Sequence, residues 1–224
     1  MKFILPNCRQ KFTPADLEFI TRVLTQGQGQ EQALMELFSD ADSRDQILDE
    51  SRLYDALQDS PACAGISEHC YFYILVRRVL LRAGIEDRRV ADYVAGMLAT
   101  FVREEHVSPL HDAEGKPLRY VFELLAALQN ADDRTRFYIQ AHLGNHTLFV
   151  TGLFPRHILH RAERRGAPSL SYYEGMGRSS YRAASDHRLA ERYDLDGVLG
   201  DLSEAFGDVR RALNDLAERV TWLG

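Results

Sequence analysis

The sequence predicts an all-α protein, a bundle of about eight to ten helices around one central apolar helix at 133–153, with a small helical N-terminal appendage. Three observations predict it. Amphipathic patterns of helical period, opened by recognisable capping residues, recur along the 224 residues, and no convincing period-2 strand pattern appears. The stretch Phe137–Pro155, FYIQAHLGNHTLFVTGLFP, holds no Asp, Glu, Lys or Arg in a chain whose charged content is 27%. Finally, Leu195, Leu199, Leu202, Phe206, Val209, Leu213, Leu216, Val220 and Leu223 alternate at spacings of four and three through four heptads.

In chain order, Thr13-Pro14 supplies a cap and an N1 proline to a first helix, whose apolar face is Leu17, Ile20, Val23 and Leu24. It stops before a GQGQ turn at 27–30, and Gln32 to Phe38 makes a second short helix. Ser43, with Gln46 three residues on, reads as a capping box for a third helix reaching about Gln58. The small-residue segment 59–67, DSPACAGIS, marks a junction. Ser67 then caps EHCYFYILVRRVLLRA, which ends at Gly84 as a C′ glycine, and Asp87 caps a helix to about Glu105. A loop at 106–117 precedes a short helix at 119–129. Asp132 or Asp133 caps the central helix, and Pro155 opens a cationic helix to Arg165 that closes at Gly166. Helix resumes near Ser169. The core helices are therefore expected at 68–83, 88–105, 133–153, 169–187 and 195–223.

In the last of these, the positions flanking the seam are Val198, Ala205, Ala212 and Ala217. Free-standing coiled coils usually carry Glu and Lys there. An Ala-lined seam favours a helix packed between two neighbours over a dimerisation helix.

Charge divides the chain. Residues 1–68 hold 6 basic and 12 acidic side chains, whereas 69–224 hold 21 of each, so the formal charge of −6 belongs to the N-terminal third. Together with the junction, this predicts an acidic helical subdomain at 1–60 and a main bundle at 67–224. The balance argues against nucleic acid as a partner. No 18-residue apolar segment exists and the N-terminus lacks a signal-peptide hydrophobic region, which argues against a membrane role. Three dispersed cysteines, Cys8, Cys63 and Cys70, fit reduced thiols in the cytoplasm.

Chemistry is sparse. On the central helix, Tyr138, Ile139, Leu143, Phe149 and Val150 form one apolar arc with His142 and His146 at its centre and Asn145 beside them; Gln140, Gly144, Thr147 and Thr151 remain as a weakly polar strip. Two histidines at i, i+4 have the spacing of helical metal ligands, but the Glu of HExxH is missing and no Glu-x-x-His occurs. Core imidazoles bonded to Asn145 or Tyr138 are the structural alternative. The segment LSYYEGMGRSSYRAASD at 170–186 aligns Glu174, Arg178 and Tyr181 on one face. Its Gly175 and Gly177 need a reason, either close helix packing or close approach of a ligand. If that helix faces the central one, Glu174 is the third partner for His142 and His146, as divalent-metal ligand, general base or hydrogen-bond acceptor. The basic helix 155–165 and the arginines at 77, 78, 82, 88 and 89 read as solvated faces, or as sites for an anion or an acidic partner. His69 could reach a shared cavity.

Two functions follow. One is a non-enzymatic protein-interaction or oligomerisation module, favoured by the seam, the acidic N-terminal third and the lack of a complete catalytic motif. The other is a pocket protein or enzyme binding a metal or small anionic ligand through His142, Asn145, His146, Tyr173, Glu174, Arg178 and Tyr181.

Overall fold

The computed structural model describes residues 4–25, 28–58, 65–103, 121–165 and 168–219. Among them are thirteen α-helices, one 3-10 turn at Cys8–Lys11 and no strand. The all-α prediction holds, with more and shorter helices than expected. Cys63, the loop 106–117, Gly166, Val220 and Leu223 lie outside the described residues.

Local chemistry sets most helix starts as predicted. Thr13 and Asp16 form a reciprocal capping box on α1, Pro14–Leu24. Ser67 accepts from the Cys70 amide at the start of α5, Glu68–Arg82. Asp132 accepts from the Thr135 amide to open α8, Asp133–Leu153. Ser169 accepts from the Tyr172 amide to open α10, Leu170–Ser185. Gly84 ends α5 at φ +78°, where only glycine sits without strain. Also as expected, α6 spans Arg88–Arg103, α7 Val121–Asn130 and α9 Pro155–Arg165.

Three expectations are corrected. Residues 28–30 of the expected 27–30 turn are instead the first residues of α2, Gln28–Ser39, and Gly27 lies outside the described residues. The helix expected from Ser43 to Gln58 is two, α3 at Ala41–Leu48 and α4 at Ser51–Gln58, because Asp40 caps the first and Asp49 ends it to pair with arginines of the main bundle. The heptad helix is also two: after the short α11, Arg188–Arg192, come α12, Asp196–Glu204, and α13, Phe206–Arg219. The seam does pack inward, and Leu195, Leu199, Leu202, Phe206, Val209, Leu213 and Leu216 are all buried. Its two halves serve different neighbours, α12 lying on α10 and α6 and α13 on α8 and α5, so the chain turns at Ala205 between them.

Helix α8 is central, though not by the face the sequence suggested. Its weakly polar strip is the most tightly packed surface. Thr147 and Thr151 are fully buried because each hydroxyl donates to its own helix, Thr147 Oγ1 to the Leu143 carbonyl at 2.7 Å and Thr151 Oγ1 to the Thr147 carbonyl at 2.6 Å. With their polarity satisfied internally, these small residues let neighbours approach. The Tyr181 ring of α10 packs directly against Gly144, and Leu213 of α13 against Gly152. Asn214 of α13 donates to the Thr151 carbonyl at 2.9 Å. The arc bearing His142 and His146 is the less buried side.

Residues 4–58 share one hydrophobic core with the rest, from Cys8, Phe19, Leu53 and Leu57 through Tyr73, Leu98, Leu148 and Leu216. Asp16, fully buried, accepts from the Ser67 amide at 2.6 Å and the Ser67 hydroxyl at 2.7 Å. The charge break thus marks a change in surface, and the core runs across it. Among the described residues no helix is long and apolar enough to cross a membrane.

Candidate functional site

His142 and His146 project from α8, one turn apart, toward the C-terminal end of α6. Their rings stand 6.2 Å apart; His142 stacks on Phe101 at 5.6 Å, and the Phe149 ring also packs on Phe101 at 5.0 Å. Both imidazoles are half-buried and neither makes a hydrogen bond among the described residues, so the bonds expected from Asn145 or Tyr138 do not form. Packing against aromatic carbon disfavours the charged form. Burial, with a smaller contribution from His146, pushes His142 from 6.5 down to about 3, and burial lowers His146 as well.

A stability prediction follows. The unfolded imidazole of residue 142 takes up a proton near pH 6.5, whereas in the fold it stays neutral to about pH 3. The contribution is therefore complete above pH 6.5 and is lost as pH falls from there toward 3. Between pH 6.5 and 4.5 the loss should be on the order of 2 kcal/mol. Urea titrations of the wild type and His142→Leu should show the variant losing that much less on acidification. Identical pH dependence would contradict the assignment.

Asn145, on the neighbouring face, has a different role. Its side-chain carbonyl accepts two hydroxyls, Tyr93 Oη of α6 at 3.0 Å and Tyr181 Oη of α10 at 2.8 Å. All three residues are buried, and burial raises both phenols far from any working pH. This bridge ties three helices at one point, using both lone pairs of a single oxygen. Tyr93 was not a sequence candidate. A tyrosine among Val90, Val94 and Leu98 needs a buried partner for its hydroxyl, and that was the available signal.

The expected trio of His142, His146 and Glu174 is not assembled. Helix α10 does lie along α8, but it turns Gly177 and Tyr181 to it and directs Glu174 at α13. There Glu174 sits over Gly207 and pairs with Arg210 Nε at 3.3 Å, with Arg178 3.9 Å away on its own helix. Arg178 is exposed, and Tyr173 is half-buried edge-on to Tyr172. Of the seven candidate residues, contacts join Asn145 to Tyr181, His142 to His146, and Glu174 to Arg178, as three separate pairs. Among the described residues no three His, Cys, Asp or Glu side chains converge as a metal site. Of the two glycines, Gly177 is the close-packing one, its Cα against Phe206 and Thr147, while Gly175 faces open space.

The arginines divide sharply. Arg77 is not solvated: it is buried and grips Asp49 with two hydrogen bonds of 2.8 and 3.1 Å. Arg88 holds the same carboxylate from the other side at 2.9 and 2.6 Å and reaches Asp45 at 3.3 Å. Arg9 joins Asp45 to the buried Asp92, which its Nε meets at 2.9 Å. The two guanidiniums hold the Asp49 carboxyl below its usual range, whereas burial leaves Asp92 raised despite Arg9. These residues clamp the N-terminal helices to α5 and α6. The His69 carbonyl accepts from Cys8 Sγ at 3.2 Å.

Helix α9 is the opposite case. Ile158 anchors it, while Arg156, His157, Leu159, His160, Arg161 and Arg164 are exposed. Arg156, Arg161 and Arg164 make no ion pair among the described residues. A groove of about 410 Å³ lies between the end of α5 and α13; Arg211 there pairs with Asp208, and none of the candidate residues lines it. No known family model, curated protein or solved structure matches this chain.

Proposed function

We propose that this chain is a non-enzymatic helical protein-interaction module whose working surface is the outward face of α9, which engages an acidic protein partner. One observation carries the reading. Three arginines and Leu159, 46% exposed, share a helix in which Ile158 is the one buried side chain among the described residues, while the arginines at 9, 77, 88 and 210 are all paired within the fold. Unpaired guanidiniums beside an uncovered Leu provide steering charge together with an apolar anchor. The buried free thiols Cys8 and Cys70 suit a reducing compartment such as the cytoplasm.

Fluorescence anisotropy with labelled polyglutamate tests it. The wild type should bind, with affinity falling as salt rises. The variant Arg156→Glu/Arg161→Glu/Arg164→Glu should lose binding yet keep its melting temperature, since these exposed side chains make no ion pair among the described residues. Absence of binding at low salt, or equal binding by the variant, would overturn the proposal. The ligand-pocket alternative at His142 and His146 keeps a single support, the unbonded imidazoles, because Glu174 is engaged by Arg210.

A further inference from the structure

We infer that the partner of α9 is the acidic α2–α3 face of a second copy of this chain; the inference rests on the reading of α9 as the working surface. Helix α2 is the least covered helix in the described fold. It carries four large apolar side chains, Leu34, Met35, Leu37 and Phe38, and none of its described side chains is buried. Met35 is 42% and Leu37 52% exposed. A twelve-residue helix is marginal in water by itself and takes its stability from a covered apolar face. Here Leu34 and Phe38 rest on the core, while Leu37 and Ala33 form an outward stripe continuing to Glu36.

Charge selects the occupant. Glu31, Glu36, Asp40 and Asp42 are exposed on α2–α3, and Glu31, Glu36 and Asp42 have no ion-pair partner among the described residues. The complementary surface, an exposed Leu flanked by unpaired arginines, is α9. Twelve residues in α2 match eleven in α9, so the helices are of nearly equal length. Within one chain their main neighbours are different, α2 packing on α1 and α3 and α9 on α8 and α10. A second copy therefore supplies the contact. One helix pair buries less than a stable interface needs, and a two-fold arrangement in which each copy gives α2–α3 and receives α9 doubles it.

Analytical ultracentrifugation with charge reversal tests this directly. The wild type should move with concentration from the 25.5 kDa monomer toward twice that mass, and return to monomer in about 1 M salt. Glu31→Lys/Glu36→Lys/Asp42→Lys and Arg156→Glu/Arg161→Glu/Arg164→Glu should each be monomeric alone, because like charges would face each other. Mixed in equal amounts, the two variants should associate again, since both contacts are then complementary. Leu37→Lys, a single exposed change, should also be monomeric and guards against misfolding of a triple variant. A wild type that stays monomeric at all concentrations overturns the inference, as does a mixture that fails to associate or a dimer indifferent to charge. If the chain stays monomeric but still binds polyglutamate through α9, the inference fails while the proposed function stands. Loss of both removes both.

Discussion

Replacing Asp49 with Ala should destabilise the protein by about 3–5 kcal/mol, the usual consequence of removing one partner from a buried ion pair. Asp49 accepts four hydrogen bonds from two arginines, and the Arg77 side chain is only 4% exposed. Without the carboxylate, Arg77 retains, among the described residues, only the Glu86 carbonyl at 2.6 Å, and its charge stays buried. Urea unfolding at pH 7 measures the loss; a change below about 1 kcal/mol, the value of a surface pair, would show that water reaches Arg77 freely. The same reasoning reaches the N-terminal helices. A fragment of residues 65–224 lacks Arg9, Asp45 and Asp49 and also the part of the shared core formed by Cys8, Phe19, Leu53 and Leu57, so it should not unfold cooperatively.

The two glycines of α10 should respond with opposite signs. In a helix, Gly→Ala ordinarily gains about 1 kcal/mol from the unfolded state and backbone propensity. Gly175 has open space around it, so Gly175→Ala should be stabilising by about 0.5–1 kcal/mol. A Cβ at Gly177 would overlap the ring of Phe206 and the hydroxyl of Thr147, both fully buried and unable to yield. Overpacking there should outweigh the propensity gain and leave a net loss of about 2–3 kcal/mol. Thermal unfolding of the two variants decides it. Equal effects would mean that α8 and α10 are less closely packed than Gly177 and Thr147 indicate.

Sequence patterns show how a helix begins more reliably than which face it turns inward. Thr13, Ser67, Asp132 and Ser169 announced their helices because a cap is a local bond between residues three positions apart. The heptad residues from Leu195 to Leu216 announced their burial because large apolar side chains have few other places to go. The face of α8 was misjudged for a specific reason. Thr147 and Thr151 count as polar in any periodicity, yet a threonine hydroxyl can bond to its own helix and leave a small, effectively apolar surface. Assigning them to the outside turned the helix round and put His142 and His146 in the core.

The candidate site failed at the same step. Once Gly144 and Thr147 face α10, the histidines face Phe101, and Glu174 is left for Arg210. That pairing joins residues 36 positions apart, and no spacing rule expresses it. Arg77 and Arg88 were misread similarly: their partner Asp49 lies at the end of α3, across the predicted junction, so sequence shows a basic cluster where the fold has a neutralised clamp. Helix α9 was legible as cationic. What sequence could not show is that its arginines stay unpaired.

Amide hydrogen exchange on the full-length chain, with and without saturating polyglutamate, tests the central claim most directly. The interaction reading predicts that added protection concentrates in residues 155–165, with α8 around His142 and His146 unchanged. Protection centred on residues 142–146 or on Glu174, with α9 unaffected, would contradict it and return the function to the ligand-pocket alternative.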